Sequence, residues 1–255
     1  MSVSNNAVAF SALEAPDANT GEERLTQLRD KYGRLHGHAL LEAMFHEVFI
    51  DKIALSSSFG AEAAVLLKLV ADVDPSIPVL FIDTGHLFEE TKQYKETLQK
   101  HLGLTNIHTI VPETIHLENV DKDGTLHERD TDYCCHIRKV LPFEKALAPY
   151  QAWVSGRKRF QNDDRAALES LELDEDGRFK INPLYDWDYD TIITQFNELN
   201  LPRHPLVEKG FPSIGCGPCT RAVKDGEDQR AGRWSGKGKT ECGIHKSPSF
   251  EALWI

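Results

Sequence analysis

Hydrophobic and polar positions along this chain alternate between two registers. Short apolar runs bounded by Pro, Gly or Asp predict strands, and longer stretches with apolar residues three and four apart predict helices. Residues 52–56, 78–82, 106–111 and 152–155 are of the first kind. Residues 61–71, 88–101, 138–147 and 188–199 are of the second, the last with Asp188 or Asp190 near its start. Upstream, Thr20-Gly21-Glu22-Glu23 has the form of a capping box opening a helix that runs past Leu28. A second helix is predicted over about His38–His46, behind the breaks at Gly33 and Gly37. This alternation predicts a doubly wound, mostly parallel α/β sheet covered on both faces, with right-handed crossovers. Residues 169–176 are acidic and predicted to be exposed. From Pro202 onward Pro and Gly are frequent, and GRWSGKG (232–238) predicts a flexible arm. The expected division is a disordered lead-in over 1–20, an α/β domain over 21–220 and a mobile arm over 221–255.

Composition narrows the function without fixing it. The 255 residues suffice for one domain with a substantial core plus an arm, and 40% hydrophobic and 27% charged residues are ordinary for a globular protein. No apolar run approaches the roughly 18 residues that would span a bilayer. The first 20 residues lack the basic and apolar regions of a secretory signal. A cytoplasmic protein with no membrane association is expected. The net charge of −11 argues against nucleic acid as a partner. Residues 221–246 nevertheless carry seven basic and four acidic side chains, a local excess of +3. That excess suits a small anionic ligand, with a solvated polar tail as the plain alternative.

The chemistry concentrates in the cysteines. There are five, an odd number in a chain with no visible signal, which points to metal or catalytic use rather than a disulfide framework. Cys216-Gly217-Pro218-Cys219 puts two thiolates within reach of one metal centre, and Cys134-Cys135 completes a four-thiolate set. Adjacent cysteines diverge along the chain, which a multi-iron cluster tolerates better than one tetrahedral zinc. The spacing therefore favours a [4Fe–4S] cluster over zinc; an unrelated cysteine pair with a redox-active CxxC is the third reading. Cys242 is left over, beside Gly-rich sequence, His245 and several cations. A thiol among cations is more readily a thiolate and suits a nucleophile; an idle tail thiol is the alternative.

Two loops add to this. Ser56-Ser57-Ser58-Phe59-Gly60-Ala61 follows the first strand, where backbone N–H groups and a helix N-terminus can meet an anion or nucleotide. Asp83 and Thr84 end the second strand, where Asp83 could accept from a ribose hydroxyl or cap a helix. Lys139, Arg157-Lys158-Arg159, Arg230 and Arg233 supply the cations that an anionic substrate beside an anionic cluster requires. The eleven histidines include no HxxxH pair, and His36, His38, His101, His108, His116 and His127 are expected to be structural or surface residues.

Taken together, SSSFGAE (56–62), LFIDTGHLFEET (80–91), CCHIRK (134–139), WVSGRKRFQ (153–161), CGPC (216–219), RAGRW (230–234) and ECGIH (241–245) resemble the assimilatory sulfonucleotide reductases. The resemblance is to the branch that reduces adenosine 5′-phosphosulfate and carries a [4Fe–4S] cluster on the four paired cysteines. It implies an adenine nucleotide α-hydrolase-like fold, related to the ATP pyrophosphatases. It implies that Lys139, Arg230, Arg233 and His245 hold the phosphosulfate and that Ser57, Ser58, Ile82, Asp83, Thr84 and Gly85 line the adenosine pocket. The family's two adjacent arginines are replaced by Arg157-Lys158-Arg159, and Arg159 is expected to serve as the ligand. Cys242 would attack sulfur to give a cysteine S-sulfonate, and an external thioredoxin or glutaredoxin would release sulfite. A homo-oligomer is also implied. The alternatives are reduction of 3′-phosphoadenosine 5′-phosphosulfate, dual specificity, or a non-catalytic nucleotide sensor with an iron–sulfur or zinc site.

Overall fold

The computed structural model describes residues 18–245. Among them a six-stranded sheet runs in the order β3-β2-β1-β4-β6-β5. The strands are β1 (Ile53–Ser56), β2 (Val79–Ile82), β3 (Ile107–Ile110), β4 (Ala152–Val154), β5 (Leu171–Leu173) and β6 (Phe179–Ile181). All neighbours pair in parallel except β5, which runs antiparallel to β6 at one edge.

Strand alternation sorts the core into two unequal halves. Ile53, Leu55, Val79, Phe81 and Val154 face one side. There they meet α1 (Ala18–Tyr32), α2 (Gly37–Ala43), α3 (Ala63–Val73), α4 (Glu89–Leu102) and α9 (Tyr189–Glu198). Ala54, Leu80, Ile82 and Trp153 face the other side and form a smaller cluster with Phe143 and Leu147. Those two belong to α8 (Leu141–Leu147), and Ile244 from the C-terminal segment packs against the same cluster. The remaining short helices are α5 (Thr114–Val120), α6 (Leu126–Arg129) and α7 (Thr131–Cys135).

The parallel α/β architecture matches the sequence expectation, with local corrections. Helix α1 begins at Ala18, so Thr20 lies within its first turn rather than ahead of it. Its buried Leu25, Leu28 and Tyr32 form the stripe that packs on the sheet. Most of the expected lead-in lies outside the described residues. The helix expected at 138 starts seven residues earlier, at Thr131, and continues through a wider π-helical turn (His136–Val140) into α8. The acidic stretch expected to be exposed contains β5: Leu171 is fully buried and Glu172 pairs with Arg157 at 2.5 Å. Strand β6, short and interrupted by Lys180, went unpredicted. Helix α9 is capped as expected, with Asp188 accepting from Thr191 N at 2.8 Å.

Candidate active site

The chain runs outward from β1 through β2 to β3, then returns to place β4 on the other side of β1. The loops leaving β1 and β4 therefore part in opposite directions. A crevice must open between them at the carboxyl ends of the strands. A cavity of about 370 Å³ occupies that place.

The β1 loop supplies Ser56, Ser57, Ser58 and Gly60 and leads into the N-terminus of α3. Ser57 Oγ accepts from Phe59 N at 3.2 Å, tightening the turn. Phe59 itself sits at φ 48°, a costly conformation for a bulky residue, and is fully buried against Phe81. The β4 loop supplies Gly156, Arg157, Lys158, Phe160 and Gln161. Lys158 Nζ and Gln161 Nε2 both donate to Glu62 Oε2 at 2.7 Å, tying the two loops together across the switch point.

Beside this cavity lies a second one, lined by Cys134, Cys135, Cys216 and Cys219. The first pair ends α7. The second flanks a 3-10 turn, Gly217–Cys219, which is docked on the β2 loop by Gly217 N donating to His86 O at 2.7 Å. All four thiols are free of disulfides. Burial, then the neighbouring Cys135, pushes the Cys134 thiol up to about 12. Burial pushes Cys135 up to about 11 against the opposing pull of Lys139, and it raises Cys219 as well. Crowded thiols that resist ionisation are what a bound metal centre would reverse, since its positive charge favours the thiolates. Two further observations suit such a group. His86 Nε2 and Arg233 Nε, both on residues lining this cavity, are buried without a hydrogen-bond partner. His86, Asp121 and Cys134 also lie close enough to suggest a metal trio. Asp121, however, is already spent on Leu126 N at 2.7 Å and on Arg138 at 2.5 Å.

Lys139, Arg233 and Trp234 line both cavities and form their common wall. Lys139 reaches it from the π-helical turn that follows the cysteine pair, a distortion often found at functional sites. Burial works against its ammonium, but Cys242, Cys216 and Cys135 outweigh that and raise its pKa. The same three sulfurs act on Arg233, where burial prevails and the pKa is lowered. Arg233 lies 4.3 Å over the Trp234 ring and donates to Ile214 O at 3.2 Å. Only a glycine fits beneath it: a Cβ on Gly215 would stand 2.4 Å from Arg233 Nη2. Trp234, at φ 47°, is the second bulky residue held in left-handed backbone beside this cavity.

The C-terminal segment closes the site. Cys242 and Ile244 are on the cavity wall. Cys242 is half-buried, and its N–H donates to Glu241 Oε1 at 2.9 Å. Arg230 lines the cavity and donates to Thr240 O at 3.1 Å; burial, then the charges of Arg165 and Arg233, lowers its pKa to about 10. His245 stacks on Trp153, with ring centroids 5.7 Å apart, rather than forming cavity wall. Burial, then Lys180 and nearby arginines, holds its pKa well below the usual histidine range, and its buried Nδ1 has no partner. Gly232 serves close packing: a Cβ there would lie 2.2 Å from Arg221 O.

The structure thus gathers Cys242, Lys139, Arg230, Arg233, Ser57, Ser58 and Ile82 around one cavity, with His245 just behind it. It gathers Cys134, Cys135, Cys216 and Cys219 around the other. Asp83, Thr84 and Gly85 are not brought to the first cavity. Asp83 Oδ1 closes its own turn by accepting from Gly85 N at 3.0 Å. Thr84 is buried and faces the cysteines, with Oγ1 3.2 Å from Cys216 Sγ and its carbonyl accepting from Arg138 at 2.8 Å. Arg159 is not brought there either. It is exposed, donates to Leu168 O at 2.8 Å and lies 4.7 Å over the Tyr185 ring. Its neighbours Arg157 and Lys158 and the more distant Arg165 line the cavity instead. Arg165 escaped sequence reading because it follows Asp163 and Asp164, which make it look like part of a solvated charge run.

Residues 52–222 match the phosphoadenosine phosphosulfate reductase domain model. The chain is 48% identical over 216 residues to the adenosine 5′-phosphosulfate reductase of Mesorhizobium japonicum, covering 85% of each chain. It is 45% identical over 240 residues to the protein of the same name from Chelativorans sp., covering 93% of this chain and 97% of that one. In fold it resembles a phosphoadenylyl-sulfate reductase from Candida auris, with a TM-score of 0.66 at 24% identity over 79% of this chain and 97% of the other.

Proposed function

Because the chain belongs to the phosphoadenosine phosphosulfate reductase domain family, we propose that it reduces adenosine 5′-phosphosulfate to sulfite and AMP, with Cys242 as nucleophile. The observation that carries this reading is the placement of Cys242 on the wall of a switch-point cavity, beside Lys139, Arg230 and Arg233. Such a cavity takes a nucleotide at its loop ends, and the cations offset the charge of a phosphosulfate. The Cys242 thiolate attacks the sulfate sulfur as the bond from sulfur to the bridging oxygen breaks. AMP leaves with the bond's electrons, and a cysteine S-sulfonate remains. A thiolate of an external thioredoxin or glutaredoxin then attacks Cys242 Sγ, expelling sulfite, and its second thiol resolves the mixed disulfide. The two electrons come from the dithiol.

Ser57 and Ser58 with the α3 N-terminus would meet the nucleotide, and Lys139, Arg230 and Arg233 would meet its anionic groups. His245, held neutral against Trp153, is placed to donate or accept one hydrogen bond at the site's edge. Cys134, Cys135, Cys216 and Cys219 would hold a [4Fe–4S] cluster. When bound, that group supplies order and a fixed local charge, felt across the shared wall by Lys139 and Arg233. The C-terminal segment must leave the cavity to meet the reductant, so residues 221–245 would act as a mobile arm; the rest of the expected arm, 246–255, lies outside the described residues. Among the described residues no helix is long and apolar enough to cross a membrane. The deciding experiment is sulfite release coupled to thioredoxin, comparing adenosine 5′-phosphosulfate with its 3′-phosphorylated form. Turnover of the first at least tenfold above the second, by about 1.4 kcal/mol, is expected; the reverse order would move the chain to the other specificity. Iron and sulfide analysis of anaerobically purified protein should find both elements, and zinc alone would refute the cluster.

A further inference from the structure

Residues 221–245 reach the cavity with almost no regular structure, so side-chain contacts must hold Cys242 in place. Those contacts fall into two groups. As far as Lys239 the segment is fastened to the cysteine side of the molecule. Trp234 is buried, Lys237 donates to His127 O at 2.6 Å, and Lys239 pairs with Asp132. From Thr240 onward it is fastened to the loop that follows β4. Thr240 Oγ1 donates to Asp164 Oδ2 at 2.7 Å, and Glu241 pairs with Arg165. The second group adjoins Cys242 on its N-terminal side; on the other side Ile244 packs on the Trp153 cluster and His245 stacks on the Trp153 ring.

The Arg165–Glu241 pair is bidentate. Arg165 Nε donates to Glu241 Oε2 at 2.6 Å and Nη2 to Oε1 at 2.7 Å. It is also buried, with side-chain exposures of 8% and 5%. The same Oε1 accepts from Cys242 N at 2.9 Å. One carboxylate therefore joins the fixed body of the protein to the backbone of the reacting residue. A carboxylate has lone pairs for three such donors, whereas a glutamine would turn its own NH₂ toward the guanidinium or toward the Cys242 N–H.

We propose that Glu241 is a positioning residue: clasped by Arg165, its carboxylate sets the Cys242 backbone over the nucleotide cavity, and opening this clasp frees the arm. The proposal rests on Cys242 being the nucleophile. A buried, two-pronged pair one residue from the sulfur fixes the thiol's reach more tightly than the single-pronged lysine contacts further back along the segment. Opening it exposes the sulfur to an external thiol.

The test uses the full chain, purified anaerobically with its metal centre, carrying Glu241→Gln or Glu241→Asp. Aspartate keeps the charge but is one methylene too short to reach Arg165 and Cys242 N together, so it guards against a Gln variant that fails to fold. Three readouts are needed: single-turnover formation of the Cys242 S-sulfonate by mass spectrometry, alkylation of Cys242 by iodoacetamide, and AMP affinity. Both variants should form the adduct at least about 10²-fold more slowly, the cost of an ångström-scale misplacement. Alkylation of Cys242 should be several-fold faster, and AMP affinity and iron content should stay close to wild type. A purely structural role would lower AMP affinity and iron together with the rate. Adduct formation and alkylation at wild-type rates in Glu241→Asp would overturn the proposal. A wild-type chain that forms no adduct would sink the reading of Cys242 as nucleophile instead, and the alkylation rates would still judge the clasp.

Discussion

The cavities on the two sides of Lys139, Arg233 and Trp234 are built from different materials. One rests on the sheet. Its walls are turns at the ends of β1 and β4, and its loops are joined by Lys158, Gln161 and Glu62 at 2.7 Å. Its sheet-borne walls are in place once the strands pair, and the C-terminal segment closes them. The other rests on the end of α7 and on the 3-10 turn at 217–219, and the thiols of Cys134, Cys135 and Cys219 are raised by burial and crowding. It keeps polar atoms of His86 and Arg233 without partners. The first cavity is organised by folding; the second calls for a charge that folding alone does not supply. Lys139 and Arg233 are the only cationic side chains on both linings among the described residues, so they carry whatever one cavity senses of the other.

Exchanging a sulfur on each side breaks this comparison most forcibly. Cys242→Ser should cut sulfite release by about 10⁴-fold or more, as loss of a nucleophile does, and leave iron content and visible absorbance intact. Cys216→Ser should do the reverse at the level of composition, losing most of the iron and lowering the melting temperature. If Cys242→Ser also lost its iron, the two cavities would not be separate. The shared wall gives the next largest effect. Lys139→Ala should slow adduct formation by about 10²–10³-fold, the scale of losing one preorganised charge at a reacting centre. If instead it removed the iron while leaving the rate per cluster unchanged, the coupling would run only toward the cysteines.

A third prediction concerns the core beneath the first cavity. His204 is fully buried, with Nε2 3.1 Å from Thr91 Oγ1 and Nδ1 accepting from Leu206 N at 3.1 Å. Burial lowers its pKa to about 4 from about 6.5, with Glu90 opposing. The unfolded chain therefore binds more protons than the folded one between these values. Stability from this group is fully present above pH about 6.5 and is lost as pH falls toward 4, by at most ~3 kcal/mol. Denaturant unfolding at pH 7 and pH 5 should show this loss in wild type and a shallower slope in His204→Gln. Equal slopes would remove His204 from the account of acid stability.

What could be read in the sequence follows the same division. The sheet-borne cavity was legible in outline, because strand ends and Ser/Gly loops leave a local pattern: SSSFGAE and the strand before it lie where expected. The cysteines were legible by spacing, although α7 was not, since its five residues are too short to show a period. Contacts that join distant segments were invisible. Glu62 meeting Lys158 spans 96 residues and Glu241 meeting Arg165 spans 76. Thr84 turns toward Cys216 for a reason 132 residues away. Strand β6 was missed because Lys180 interrupts its apolar run, and its burial is explained by a neighbour the sequence does not reveal, the Trp153 ring 4.7 Å from Nζ.

The smallest predicted effect discriminates most finely between neighbouring cations. Arg159 and Lys158 are adjacent, yet extended backbone at Lys158 sends their side chains to opposite sides. Lys158 is buried against Glu62, and Arg159 is exposed over Tyr185. Arg159→Ala should therefore cost only ~0.5–1 kcal/mol of stability, the scale of an exposed cation–π contact, and leave kcat and KM for adenosine 5′-phosphosulfate within about threefold, less than ~0.7 kcal/mol. Lys158→Ala unties the loop from Glu62 and should raise KM by well over that factor. A large KM effect in Arg159→Ala would mean that the β4 loop turns over when substrate binds and exchanges one cation for the next. In that case the sheet-borne cavity would also be finished only by its ligand, and the contrast with the cysteine cavity would become one of degree.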